Sequence, residues 1–304
     1  MCLLLFPFLP FLLAFLGFLY FRRPVLLSRL WFTLCVGLLV LLCCAICLPL
    51  QWAAKHGWLS QRRTESLACI VSGLFLGKTL RLLSPQVRVR IMPGSLDLRG
   101  IDDRGVFCAC HTSFFDTLFF LWFYPLRFMG NVKSFAKSSL WQLPVMGHVI
   151  RACGHLPVYF TSQEASSFAV DKVKQAAVTD KAEAFLSQGG MLCFFPEGAL
   201  NHTPKVLKDF RHGTFNMVLK YQVPIHYMVY FGCHEVWDPD MKGIPGFPGD
   251  VFVYVGKYEY GKNATAAEVS TGLRIVMQRK LDEILEKRKK EHYVAAINKC
   301  GAVS

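Results

Sequence analysis

Acidic residues are almost missing from the first 90 positions of this 304-residue chain: Glu65 stands alone against ten arginines and lysines. Charged residues make up only 18% of the whole, below the roughly one quarter of an average soluble domain. That shortage excludes a disordered, solvating chain, which needs high charge and few apolar residues. There is no G-x-S-x-G, no H-E-x-x-H and no G-x-G-x-x-G. Their absence removes elbow-type serine hydrolases, helix-borne zinc hydrolases and fingerprint dinucleotide binders. Gly73-Leu-Phe-Leu-Gly77-Lys78-Thr79 is one residue short of a phosphate loop and follows no strand, so it reads as apolar helix.

What is present is apolar and basic. Hydrophobic residues are 53% of the chain and the formal charge is +13. Without a nucleic-acid motif, that balance predicts an anionic membrane surface or anionic ligand and no nucleic acid. Cys2 to Phe21 is unbroken by charge, and so is Leu30 to Leu50. Each run suits a bilayer core, about 30 Å as a helix. The first has no basic segment before it and no clean cleavage site, which argues against a signal peptide. The two runs predict an N-terminal transmembrane helical hairpin over residues 1–60. The stretch 66–83 is weaker, interrupted by Gly73, Gly77, Lys78 and Arg81, and predicts an interfacial amphipathic helix within 61–85. Arg22, Arg23 and Arg29 balance Lys55, Arg62 and Arg63, so orientation stays open by the positive-inside rule. The 12 cysteines form no disulfide framework, which points to a reducing compartment. Cys44-x-x-Cys47 has metal spacing but no second pair, and reads as small apolar filler.

From Gln86 the texture changes. Val87-Arg-Val-Arg-Ile91 alternates with period two. Short apolar strands are predicted at 105–110, 191–195, 224–231 and 251–255. Helices are predicted at 114–123, from Ser166 to Leu186, and from Ala266 to Lys289, the last paired by Glu283–Lys287 and Glu286–Lys290 at i,i+4. The fold class expected for 86–304 is α/β, a mixed sheet flanked by helices.

His111-Thr-Ser-Phe-Phe-Asp116 follows the strand at 105–110. Residues five apart on one helix do not face each other, but they can meet if His111 lies in the turn and Asp116 in the first helical turn. Thr112 or Ser113 can cap that helix. Asp116 would then fix one imidazole nitrogen and leave the other as a base. As an isolated motif the pair is equally compatible with plain capping. Further on, Phe194-Phe195-Pro196-Glu197-Gly198 closes an apolar strand with a turn and an acid.

An H-x4-D about 80 residues before F-P-E-G resembles the glycerolipid and lysophospholipid acyltransferase family, typified by 1-acylglycerol-3-phosphate acyltransferases. Val223-Pro224-Ile225 resembles its fourth block and Phe210-Arg211-His212-Gly213 its F-x-x-G. Lys137, Pro144, Gly147 and Gly154 match the region between its first two blocks. The resemblance spans roughly 86–260. It implies acyl transfer from acyl-CoA, a co-substrate rather than a cofactor, to a lysophospholipid hydroxyl, with no metal. His111 would be the base and Asp116 its orienter. Phe195, Pro196, Glu197, Gly198, Lys137 and Arg211 would be the substrate-side residues, Glu197 either bonding acceptor hydroxyls or buttressing its loop. An oxyanion would need donors such as backbone N–H groups at a helix start or turn. Two departures stand out. Phe160 and Leu200 occupy the positions where the family carries phosphate-gripping arginines, a bidentate role neither can fill. Lys205, Lys208, Arg211 or Arg151 could substitute. Asn201 after F-P-E-G resembles the tafazzin-like branch, which implies CoA-independent transacylation as the alternative; a non-catalytic lipid-binding protein is the other. The expected setting is the endoplasmic reticulum or another intracellular membrane, with the catalytic domain facing the cytosol.

Overall fold

A computed structural model describes residues 9–161 and 170–301. The opening of the first apolar run and the start of the helix expected from Ser166 lie outside them. In chain order the elements are α1 (Leu9–Arg22), α2 (Val25–Lys55), α3 (Gln61–Ser72), a π-wound turn (Gly73–Thr79), α4 (Leu80–Leu83), β1 (Val87–Ile91), β2 (Gly105–Ala109), α5 (Phe115–Phe123) and β3 (Val132–Lys137). There follow α6 (Met146–Ala152), β4 (Leu156–Val158), α7 (Lys172–Ser187), β5 (Met191–Phe194), α8 (Gly213–Tyr221), β6 (Ile225–Phe231), α9 (Cys233–Val236), β7 (Gly249–Tyr258) and α10 (Ala266–Gly301).

The seven strands form one sheet in the order β1-β7-β6-β2-β5-β3-β4. β6, β2, β5, β3 and β4 run parallel, while β7 is antiparallel to β6 and carries β1 with it. All five predicted strands are present. β2, β5 and β6 are buried along their whole length, which is why they read as continuous apolar runs. The parallel alignment puts the carboxyl ends of β2, β5, β6 and β3 at one edge of the sheet, where open α/β sheets hold their ligands.

Two long apolar N-terminal helices, Val25–Lys55 and Gln61–Leu83, are consistent with a transmembrane hairpin. The described part of the first run is helical as α1, Leu9–Arg22. The segment 61–83 runs through the π-wound turn as 23 mostly apolar helical residues. It docks on α5 of the sheet domain. Lys78 Nζ donates to the carbonyls of Leu121, Trp122 and Tyr124 at 3.3, 2.8 and 2.8 Å, capping α5. A cation at a helix carboxyl end stabilises it by about 0.3–1 kcal/mol, more when partly buried. Gly77 permits the approach: a Cβ there would sit 2.5 Å from the Leu121 carbonyl oxygen.

α2 has two apolar faces. Phe32, Cys35, Leu39, Cys43 and Cys47 recur at helical spacing and are buried against the rest of the chain. Leu26, Leu30, Leu34, Leu38, Leu41 and Leu42 remain exposed on the other side. A stripe of that length exceeds the scattered apolar exposure of soluble domains. Arg23, between α1 and α2, and Arg29, near the start of α2, face the protein. Arg23 pairs with Asp250 at 2.7 Å, and Arg29 donates to the Ile244 carbonyl at 2.9 and 2.7 Å while lying over the Phe247 ring.

Candidate active site

β2 ends at Ala109, and the chain turns at His111 before α5 begins. His111 Nδ1 lies 3.1 Å from Asp116 Oδ2. The same oxygen accepts from the backbone N–H groups of Thr112 (2.6 Å) and Ser113 (2.8 Å). Asp116 therefore closes the turn and orients the imidazole at once, and its side chain is fully buried. Ser113 caps the helix: its Oγ accepts from the Phe115 N–H at 3.0 Å and donates to the Trp237 carbonyl at 2.5 Å. That second bond ties the turn to the loop after α9. With Nδ1 engaged, Nε2 is the nitrogen left for chemistry, and the His111 side chain keeps 19% of its surface exposed.

β5, neighbour to β2, delivers the F-P-E-G turn to the same edge. The Phe195 ring stacks on the His111 imidazole with centroids 3.9 Å apart and planes 7° off parallel. Glu197 Oε1 accepts from the His111 N–H at 2.9 Å; Oε2 accepts from Asn201 Nδ2 at 2.7 Å and the Lys208 N–H at 3.0 Å. Burial pushes the Glu197 carboxyl up from its ordinary value, against the pull of those donors. Both oxygens are thus committed to the loop, which gives Glu197 the buttressing geometry. The His111 carbonyl accepts from the Asn201 N–H at 2.6 Å, completing a two-way clamp between the segments.

Gly198 has φ +74°, and a Cβ there would meet Arg211 Nε at 2.4 Å, so glycine lets Arg211 cross the turn. The Arg211 N–H donates to the Pro196 carbonyl at 2.8 Å. Arg211 is exposed, whereas Lys208 Nζ is spent on the Leu200 carbonyl (2.7 Å) and Arg151 on the Trp141 carbonyl (2.6 Å). Lys137 ends β3, exposed and two strands from β2, roughly 10 Å by strand spacing. Phe160 is half-buried two residues beyond β4 and bridges Val170.

The first helical donors are occupied. The N–H groups of Thr112, Ser113, Phe115 and Asp116 bond Asp116 or Ser113, and that of Gly198 bonds the Phe195 carbonyl. None of these five is free for an oxyanion. Two thiols flank Asp116, Cys110 and Cys233. Burial pushes both well above the ordinary thiol range, and the Asp116 charge adds to it. They remain thiols, and a thiol is a poor nucleophile. Trp237 and Cys233 were invisible in the sequence, since they reach the site only through the β6–β2 pairing.

Comparison with known proteins agrees with this geometry. Residues 90–230 match the family model described as Acyltransferase. Among curated proteins none matches the chain. Among solved structures, the 1-acyl-sn-glycerophosphate (LPA) acyltransferase PlsC from Thermotoga maritima is similar in fold, with a TM-score of 0.63 at 17% identity, covering 86% of this chain and 97% of that one. The His–Asp turn, the F-P-E-G clamp and the segment matched by the Acyltransferase model coincide on one sheet edge, in a fold similar to that of a 1-acyl-sn-glycerophosphate acyltransferase.

Proposed function

We propose that this protein is a membrane-bound O-acyltransferase that moves a fatty acyl group from acyl-CoA to the hydroxyl of a lysophospholipid or 1-acylglycerol-3-phosphate. One observation carries the reading: a partly exposed imidazole whose Nδ1 is held by a buried carboxylate, leaving Nε2 uncommitted to Asp116, on a sheet edge next to the F-P-E-G turn. An alcohol attacks a thioester poorly unless a base removes its proton during attack, and a placed base contributes about 10²–10⁴ in rate. His111 Nε2 takes the hydroxyl proton while the oxygen bonds the carbonyl carbon. Asp116 stabilises the imidazolium. As the carbon–sulfur bond breaks, the imidazolium returns the proton to the CoA thiolate, and the imidazole is neutral again. Arg211, exposed across the Gly198 turn, is the cation best placed to hold the acceptor's phosphate in place of the arginine that Leu200 replaces. Lys137 adds positive charge along the same edge.

The exposed leucine stripe of α2 supports an integral membrane position, with the endoplasmic reticulum or another intracellular membrane as the site and the catalytic body on the cytosolic side. The test uses full-length protein in vesicles with labelled oleoyl-CoA and a panel of lysolipids. Acyl-CoA-dependent ester formation that disappears in His111→Ala is expected. Transfer from a phospholipid donor at full rate without acyl-CoA would replace this reading by a transacylase. No turnover of any acceptor would leave a lipid-binding protein.

A further inference from the structure

Away from the catalytic edge, three elements bring two thiols and an imidazole together. Cys69 lies on α3, Cys153 ends α6, and His155 leads into β4. One ligand atom from each lies within 4.8 Å of the other two. Both cysteines are buried and unpaired. We propose that Cys69, Cys153 and His155 bind a zinc-class cation that fastens the N-terminal helices to the catalytic body, a site independent of the acyl-transfer reading.

The donor set fits that class. Two thiolates and an imidazole are soft to borderline ligands, and they balance a divalent charge, so the complex can be buried without net charge. Zn–S bonds of about 2.3 Å and Zn–N bonds of about 2.0 Å place tetrahedral ligand atoms about 3.5–3.8 Å apart. Closing from within 4.8 Å is a matter of side-chain rotation. Both thiol protons leave to solvent as the cation binds. The His155 ring is already held, its Nδ1 accepting from the Ser134 N–H at 3.2 Å. Whichever ring nitrogen turns to the cation, the Ser134 bond and the two 3.5 Å bonds that Cys69 Sγ donates to the Val132 and Cys153 carbonyls are exchanged for three metal–ligand bonds. Cys43 and Cys47 lie one turn apart on the buried face of α2, which packs against α3 and α6, the helices that carry Cys69 and lead to Cys153. Cys47 or a water takes the fourth position.

Backbone geometry around the pair is specific. Gly154, between the two ligands, has φ +64°. A Cβ there would lie 2.3 Å from the Glu65 carboxyl carbon. The one acid of the first 90 residues is thus pressed against the ligand turn, and Lys133 holds it at 2.6 Å. The Ser72 hydroxyl lies 3.4 Å from Cys153 Sγ. Cysteines used as packing filler need no imidazole, no left-handed glycine and no aligned carboxylate.

The test uses full-length protein in detergent micelles, stripped by chelator and titrated with Co²⁺. One equivalent bound, with a thiolate charge-transfer band and the strong visible absorption of four-coordinate cobalt, is expected, and Zn²⁺ should displace it. Cys153→Ser and Cys69→Ser should each weaken zinc binding by about 100-fold or more. Cys193→Ser, in the core of β5, should leave it unchanged. Should the ligand variants misfold, X-ray absorption at the zinc edge of the zinc-loaded wild type gives the answer: two sulfur scatterers at about 2.3 Å and one nitrogen at about 2.0 Å are expected, and a third sulfur would identify Cys47 as the fourth ligand. Cobalt binding without a thiolate band, a zinc shell without sulfur, or a Cys69–Cys153 disulfide in the purified protein would overturn the proposal.

Discussion

Two of the molecule's histidine–carboxylate pairs lie at opposite edges of one sheet. His111 meets Asp116 at 3.1 Å where β2 ends; His226 meets Asp102 at 3.1 Å where β6 begins. Chemistry and distance are the same, but burial is inverted. At the first edge the carboxylate is sealed and the imidazole reachable; at the second the imidazole has no exposed surface and Asp102 is 43% exposed, with Lys257 3.4 Å away. His226 also stacks on Phe107 in the core, and its Nδ1 has no hydrogen-bond partner among the described residues. Burial lowers its pKa, with Asp102 pulling the other way. The contact alone therefore does not make a base. A base needs its orienter shielded and its second nitrogen facing substrate.

The sharpest way to break the contrast is His111→Ala. It should lower kcat by about 10³-fold with folding intact, measured as ester formation in vesicles against thermal unfolding. His226→Gln should leave turnover per folded molecule within about threefold, because no reacting atom is near it. Equal losses in the two variants would erase the distinction. Asp116→Asn comes next, with a loss of about 10²–10⁴, since an amide there no longer stabilises the imidazolium or fixes its tautomer. Smaller is Glu197→Gln. Its amide must place donors against the donors of Asn201 and Lys208, loosening the clamp on His111. A drop in kcat of about 10–100-fold is expected with KM for the lipid little changed; a change confined to KM would instead put Glu197 on the acceptor.

The smallest effect is on stability, and it has a sign. A histidine whose folded pKa lies below 6.5 favours the neutral ring in the fold. Its contribution is full above the unfolded value and is lost as pH falls through 6.5 toward the folded value. His226→Gln should flatten the wild-type decline in Tm over that interval. For Glu197 burial raises the pKa above 4.5, so its contribution is full below that value and fades as pH rises through the folded one.

The contrast also separates what the sequence could reveal from what it could not. His111, Asp116 and the F-P-E-G turn were legible because each is local: one turn, one strand end. His226–Asp102 spans 124 positions and leaves no pattern. β3 escaped because Lys133, Ser134 and Lys137 break any alternation, and β4 because three residues including Pro157 carry too little signal. Within 61–85 the glycines and charges suggest an interfacial helix from the sequence alone, and their docking role is visible only in the fold: Gly77 admits a carbonyl, and Lys78 reaches three of them. The role of Glu197 stayed open in the sequence because a buried clamp and a substrate ligand use the same carboxylate.

The Lys78 contact bears on how the enzyme can be handled at the bench. A chain trimmed to begin after residue 85 would gain solubility and lose the ammonium that closes the carboxyl end of α5, while Asp116 sits in the first turn of that same nine-residue helix. The trimmed protein would carry every motif residue and still hold its carboxylate on a frayed support, so inactivity of such a fragment would speak about its missing brace and not about the chemistry.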